Sequence, residues 1–247
     1  MPELDLLAAL IGAAFAAGFI DAIAGGGGLI ALPALLLAGL SPLEALSTNK
    51  VQAIFGSGTA ALSYAAAGQV DLRSQAGEAA IACAAGAAGA ALASVVPTDG
   101  LRLILPFILI AIAVFFAVKP GLSDEDQHRR LSPTAFMAFF VPLIGAYDGL
   151  IGPGAGSFYM IGFVTLAGFG VLKATAHTKL LNFASNLGGL VVFAIGGAPL
   201  WTIGLSMGLA QVVGARLGSK LAMKRGARLI KPLLVLTSVA LALKLLL

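Results

Sequence analysis

Apolar runs long enough to cross a bilayer follow one another along almost all of this chain, and two of them break at glycine clusters. Cut at charges and at Gly/Pro clusters, the runs are 4–24, 29–40, 51–67, 76–96, 103–118, 134–151, 157–168, 180–196, 203–222 and 229–247. A full span needs about 20 apolar residues. Runs 29–40 and 157–168 are too short, and each follows a cluster: Gly25, Gly26, Gly27 and Gly28 in the first case, Gly152, Pro153, Gly154, Ala155 and Gly156 in the second. Each ends in a polar stretch, 41–50 or 170–179, expected to close the short helix and open the next. This is the pattern of broken helices. Unwound backbone inside a membrane is tolerated only where protein buries it or a wet cavity receives it.

The expected fold class is all-α, a polytopic transmembrane helical bundle. With 59% hydrophobic and 11% charged residues, against roughly 25% charged in soluble domains, the chain cannot build a polar shell. That excludes a disordered chain, a nucleic-acid-binding domain and almost any soluble enzyme. The net charge of +4 is therefore read through the positive-inside rule. A single cysteine, Cys83, forms no intrachain disulfide, and His128 and His177 do not make a structural metal site. No Lys or Arg precedes Lys50, so the N-terminus lacks the basic region of a signal peptide and is read as the first membrane segment.

The two halves resemble each other. Gly18, Asp21, Gly25 and Gly27 match Gly145, Asp148, Gly152 and Gly154 at an offset of 127. Gly39, Ala45 and Lys50 match Gly168, Ala174 and Lys179 at an offset of 129, and Gly100, Arg102 and Pro106 match Gly226, Arg228 and Pro232 at 126. Three matches in order at nearly constant offset indicate an internal repeat of five segments. The organisation is a first membrane repeat over 1–118, a linker over 119–131 and a second repeat over 132–247. Five crossings per half is odd, so the repeats are inverted: a five-plus-five bundle with two short helices after the glycine clusters. With the linker in the cytoplasm, that side holds Arg73, Lys119, Arg129, Arg130, Lys173, Lys179, Lys220, Lys224, Arg225, Arg228 and Lys231, and the outer side holds Lys50, Arg102 and Lys244. Positive-inside bias then puts both termini outside. A parallel four-plus-four arrangement with re-entrant glycine hairpins stays open.

Short helices starting near Leu29 and Ser157 would aim free N–H groups and a positive dipole end at a cavity, a geometry suited to an anion. The alternative is that the glycines only permit close packing. The candidate substrate-binding residues are Gly25, Gly26, Gly27, Gly28, Thr48, Asn49, Lys50 and Gln52 in the first half. In the second half they are Gly152, Gly154, Gly156, Ser157, His177, Thr178, Lys179 and Asn182. For the two lysines, snorkelling at a helix end is the competing reading. Asp21 and Asp148 lie deep in apolar sequence, where a carboxylate needs a partner or water. They are candidates for proton coupling, or else cap the broken backbone. Asp148 is favoured, because Tyr147 and Tyr159 nearby offer hydrogen-bond partners. Ser185 and Asn186 are expected to bond helix to helix, and Gly204, Gly208, Gly214 and Gly218 to form packing faces.

The run from Gly18 through Asp21 to Gly28, the Ser47-Thr48-Asn49-Lys50 run, and their repeats at Asp148 to Gly154 and His177 to Lys179 resemble the TauE/SafE (sulfite exporter) family of permeases over essentially the whole chain. The resemblance implies an integral, multi-pass inner-membrane protein that transports small sulfur-containing anions such as sulfite or sulfonates. The second half departs from the first, with Pro153 for Gly26 and His177-Thr178 for Thr48-Asn49, so equal roles for the halves do not follow. No ATP-binding motif, nucleophile–base pair or metal-ligand set is present. The expected function is a secondary transporter working by alternating access and not an enzyme, the alternative being an anion channel or uncoupled uniporter. The expected partners are a small anionic substrate, the lipid bilayer and, as an open option, a second copy in a homodimer. Nucleic acid, cofactor and metal are not among them.

Overall fold

The structure, a computed structural model, describes residues 4–95 and 124–226, with 228, 229 and 232. Expected segment 103–118, nearly all of 229–247, the first stretch of the 100–106 to 226–232 match, residues 119–123 of the linker, and both termini lie outside the described residues. Among the described residues there are eight helices and no strand. They are α1 (Leu4–Ala24), α2 (Gly28–Leu37), α3 (Pro42–Ala66), α4 (Ala76–Val95), α5 (Pro133–Leu150), α6 (Ala155–Thr165), α7 (Val171–Ile195) and α8 (Trp201–Arg225). The class is all-α, and α2 and α6 are the two short apolar helices that follow the glycine clusters.

The polar stretches 41–50 and 170–179 are where the structure departs from the expected boundaries. Most of each lies within a long helix, not between helices. Residues 41–44 explain the first case. Ser41 accepts from the Glu44 N–H at 3.4 Å, Glu44 Oε2 accepts from the Ser41 N–H at 2.9 Å, and Pro42 takes the first helical position. That reciprocal cap starts α3 ahead of the polar residues, so Ser47, Thr48, Asn49, Lys50 and Gln52 ride inside a 25-residue helix and are buried. In the second case the Gly170 N–H, just ahead of α7, donates to Asp126 Oδ1 at 2.7 Å.

Among the described residues, four helices, α1, α4, α5 and α7, are long and apolar enough to cross a membrane. Polar and charged groups are buried inside the bundle, and a set of large apolar ones faces outward. Asp21, Lys50, Asp148, Lys179 and Asn186 are buried, while Leu62, Phe139, Leu143 and Ile195 are exposed. Along α8, Trp201, Leu205, Leu209, Val213 and Leu217 recur every fourth residue and are all exposed. That stripe suits a lipid-facing surface and would be a liability in water.

The halves exchange neighbours. Helix α1 packs along α8, α4 packs against α5 and α7, α3 lies against α8 and α7, and α2 and α6 tuck beside α3 and α7 respectively. Small residues make this possible, as expected for Gly204, Gly208, Gly214 and Gly218. Gly214 and Gly218 lie on the backbone of Phe15 and Phe19, and Gly204 and Gly208 on the side chains of Val51 and Phe55. Helices α4 and α5 approach backbone to backbone, so that a Cβ on Gly149 would meet the Gly86 carbonyl and one on Gly89 the Ala146 carbonyl. Gly149→Ala is therefore expected to cost about 1–3 kcal/mol through overpacking, read as a lowered unfolding midpoint in detergent. Gly77→Ala, with open space around it, should leave the midpoint where it is. Equal midpoints for the two variants would count against close α4–α5 packing.

Helix α5 holds a π-turn over Phe136–Phe140, just before Pro142, which has no N–H to continue the ladder. The end of the linker lies under the α6–α7 turn. Gln127 N donates to Gly168 O at 2.7 Å, Arg130 N to Leu166 O at 2.9 Å, and Lys173 Nζ meets Asp126 Oδ2 at 2.7 Å. The Lys173 ammonium and the Gly170 N–H hold the Asp126 carboxyl below the usual carboxylate range.

Candidate functional site

The two glycine breaks meet at the centre of the bundle. Gly25 and Gly152, matched at the 127-residue offset, both take positive φ, +80° and +93°, which only glycine adopts freely. Each ends its long helix and turns the chain into the short one. Ser157 stitches the breaks together: its N–H donates to Gly25 O at 3.1 Å and its hydroxyl to Ala24 O at 2.7 Å. The remaining glycines leave room between the turns and helices α3, α7 and α8. The resulting cavity is small, about 20 Å³.

Its walls are polar. Gly25, Gly27 and Gly28 come from the first break, and Gly152, Gly154, Ala155 and Gly156 from the second. Asn49 and Ala53 face it from α3, and Asn182 and Asn186 from α7; both pairs sit four residues apart, one turn on one helix face. Asp21, Asp148 and Gln211 complete it.

Behind this wall stand two ion pairs, each formed across the repeats. Lys50 Nζ lies 2.6 Å from Asp148 Oδ1 and also donates to the Asp148 carbonyl. Lys179 donates to the Asp21 carbonyl, and its Nζ lies 3.6 Å from Asp21 Oδ2. Both lysines are fully buried. They do not snorkel, and neither is among the residues that line the cavity. A buried ammonium beside a carboxylate is the arrangement that makes two intramembrane charges tolerable. Lys50 and Lys179, assigned to opposite sides of the membrane from the sequence, lie at neither surface.

The pairs are unequal. Asp148 also accepts from Ser185 Oγ and, at 2.9 Å, from Asn186 Nδ2, and its side chain is 2% exposed. Asp21 accepts from the Gly27 N–H at 3.2 Å, and its side chain is 12% exposed. Tyr147 and Tyr159, expected to serve Asp148, donate elsewhere: Tyr147 to Pro153 O at 2.6 Å and Tyr159 to Val141 O at 3.3 Å. Tyr147 thereby satisfies a carbonyl of the second glycine break.

The other candidates are not among the cavity-lining residues. Thr48 Oγ1 accepts from the Leu200 N–H at 3.0 Å, at the start of α8. Thr178 donates to Ala174 O within its own helix at 2.8 Å. The His177 ring packs against Phe163 and Phe169, with centroids 5.6 and 4.8 Å away. Gln52 bridges Asn49 and Gln211, donating to Asn49 Oδ1 and accepting from Gln211 Nε2, both at 3.1 Å. Gly26 and Ser157 lie in the breaks without lining the cavity. Sequence reasoning passed over Gln211, because it lies in a small-residue helix read only as a packing face. Asn186 bonds helix to helix as expected and also lines the cavity; its four-residue spacing from Asn182 was the signal. No group of His, Cys, Asp and Glu among the described residues could hold a metal ion.

Comparison with known proteins bears on this geometry. The family model described as "Sulfite exporter TauE/SafE" matches residues 10–245. A relative from Sinorhizobium sp, named "Probable membrane transporter protein ORF9", is 60% identical over 98% of this chain and 92% of its own length. The "Probable membrane transporter protein YfcA" of Escherichia coli is 46% identical over 98% of the chain and 90% of its own length. A "Probable membrane transporter protein" of Haemophilus influenzae is 43% identical over 95% of the chain and 92% of its own length. No solved structure matches the chain.

Proposed function

The chain belongs to the sulfite exporter TauE/SafE family of membrane transporters, and on that footing we propose that it is a secondary transporter of small anions, of the sulfite or organosulfonate kind. It works by alternating access as a multi-pass protein of the inner (plasma) membrane, with an inverted five-plus-five repeat. The anion sits where the two glycine breaks meet. The observation that carries this reading is the polar cavity at that junction, lined from both halves and sunk in an apolar helical bundle. Two discontinuous helices facing a central site at the repeat interface are the common plan of secondary transporters. Positive-φ glycines recurring at matched positions, Gly25 with Gly152, Gly39 with Gly168 and Gly68 with Gly197, support the repeat.

The test is uptake into proteoliposomes of sulfite, sulfoacetate, taurine, sulfate and thiosulfate, with and without a pH gradient. Saturable flux of at least one of these, accelerated by the gradient, is the expected outcome. Rapid flux that does not saturate and ignores the gradient would favour a channel, and absence of flux for the whole panel would overturn the anion reading.

A further inference from the structure

We propose that the transported anion is an oxyanion held by neutral amide donors, the side-chain nitrogens of Asn49 and Asn182 with the backbone N–H groups of Gly28 and Gly156, and not by Lys50 or Lys179. This deepens the reading of the chain as an anion transporter and rests on it.

Asn182 is set by a charge. A carboxylate only accepts, so Asn186 must turn its amide nitrogen to Asp148 Oδ2, 2.9 Å away. The same nitrogen lies 2.7 Å from the Asn182 backbone carbonyl and 3.1 Å from Asn182 Oδ1, so its second hydrogen is shared between these two oxygens. The Asn182 side-chain carbonyl is thereby engaged, and its Nδ2 is left toward the second glycine break, where a Cβ on Gly156 would come within 3.2 Å of it. On α3 the order is the same. Gln211 donates to Gln52, Gln52 donates to Asn49 Oδ1, and Asn49 Nδ2 is left toward the first break, 3.7 Å from where a Cβ on Gly28 would stand. Neither amide nitrogen has an acceptor among the described residues, and Asn49 and Asn182 are 4% and 6% exposed. Gly28 and Gly156 lie in the first turns of α2 and α6, and their N–H groups also find no acceptor there.

Unspent donors at this depth are costly without a ligand or water. Four of them from both halves of the chain converge on one cavity, and such donors suit an oxyanion, beside the carboxylates of Asp21 and Asp148 that line the same space and are balanced by the lysines. The lysines are spent on Asp21 and Asp148. They balance charge behind the site and leave selectivity to hydrogen bonds. A halide offers no directed lone pairs to four such donors, whereas an oxyanion of sulfur offers three or more oxygens.

The experiment replaces one donor at a time by an isosteric acceptor. Asn182→Asp keeps the oxygen that receives Asn186, and Asn49→Asp keeps the oxygen that receives Gln52, so each loses the cavity donor and brings a carboxylate in its place. Sulfite is the probe, by calorimetric titration of the purified protein and by concentration dependence of uptake into proteoliposomes. Each variant is expected to bind sulfite at least about tenfold more weakly than the wild type, and to unfold at a lower midpoint because the new buried carboxylate has no cation of its own. Should an aspartate variant fail to fold, its alanine counterpart is read in its place, with the same tenfold expectation. Folded variants that keep wild-type sulfite affinity overturn this site while leaving the transporter reading intact. Wild-type protein that carries chloride but none of sulfite, sulfoacetate, taurine, sulfate or thiosulfate overturns both the oxyanion site and the sulfur-anion reading.

Discussion

Asp148→Asn is expected to cost the protein about 3–5 kcal/mol, because it leaves the Lys50 ammonium in a site 1% exposed without its counter-charge. Lys50→Met should cost a similar amount for the opposite reason: the carboxylate would keep Ser185 and Asn186 but lose its cation. Removing both charges together is gentler than the singles imply, since a buried pair replaced as a unit leaves no uncompensated ion. Unfolding in detergent of Lys50→Met, Asp148→Asn and the double variant measures this. A double variant whose loss equals the sum of the singles would show that the two groups do not act on each other. The same measurement separates this role from substrate binding, because a lysine that served only to hold an anion would lower affinity and leave the unfolding midpoint alone.

Asp21→Asn is expected to abolish proton-driven accumulation while substrate exchange continues. As it stands the buried charge set is balanced, Lys50 against Asp148 and Lys179 against Asp21. A monoanion entering the cavity adds one negative charge in a poorly screened interior, and one proton on a carboxylate restores balance. Asp148 is engaged by Lys50, Ser185 and Asn186. Both carboxylates line the cavity, but Asp21 is the more exposed and stands farther from its lysine, so it is the carboxylate proposed to take the proton. The charged and titratable groups around it are Lys179 on α7, Asp148 on α5, and Lys50 and Tyr64 on α3. The substituted amide still offers an oxygen to the Gly27 N–H and Lys179 keeps the Asp21 carbonyl, but the buried Lys179 ammonium loses its counter-charge, so the variant is compared with the wild type at equal amounts of folded protein. One proton per monoanion corresponds to about tenfold accumulation per pH unit. Wild-type protein should show that gradient dependence in proteoliposomes, and Asp21→Asn should equilibrate its substrate and go no further. Accumulation by Asp21→Asn equal to the wild type would sink this assignment of the coupling group.

The helical plan was legible because its signals are local. A run of apolar residues from Leu4 to Ala24 reads as a helix without reference to anything else, and so does a break at Gly25 or Gly152. Capping was legible too and was passed over. Ser41, Pro42 and Glu44 mark the start of α3, yet the polar residues that follow suggested a loop, and only burial of that face reveals a helix. The cavity was half legible. Asn49 and Asn182 stood among the candidates, as did both carboxylates. Thr48, Thr178 and His177 stood beside them with equal claim, and a helical turn carries them to other neighbours.

Composition, periodicity and the matched offsets determined by themselves that this chain is an all-helical membrane protein with two interrupted helices, since apolar length, glycine and local charge act within a few residues of one another. Which lysine meets which carboxylate was decided by the tertiary structure alone. Lys50 and Asp148 are 98 residues apart, Lys179 and the Asp21 carbonyl 158, and nothing in either neighbourhood specifies a partner in the opposite half. The packing of α1 on α8 and of α4 on α5 brings the halves together, spends the lysines on the carboxylates, and turns two asparagines toward the space that remains.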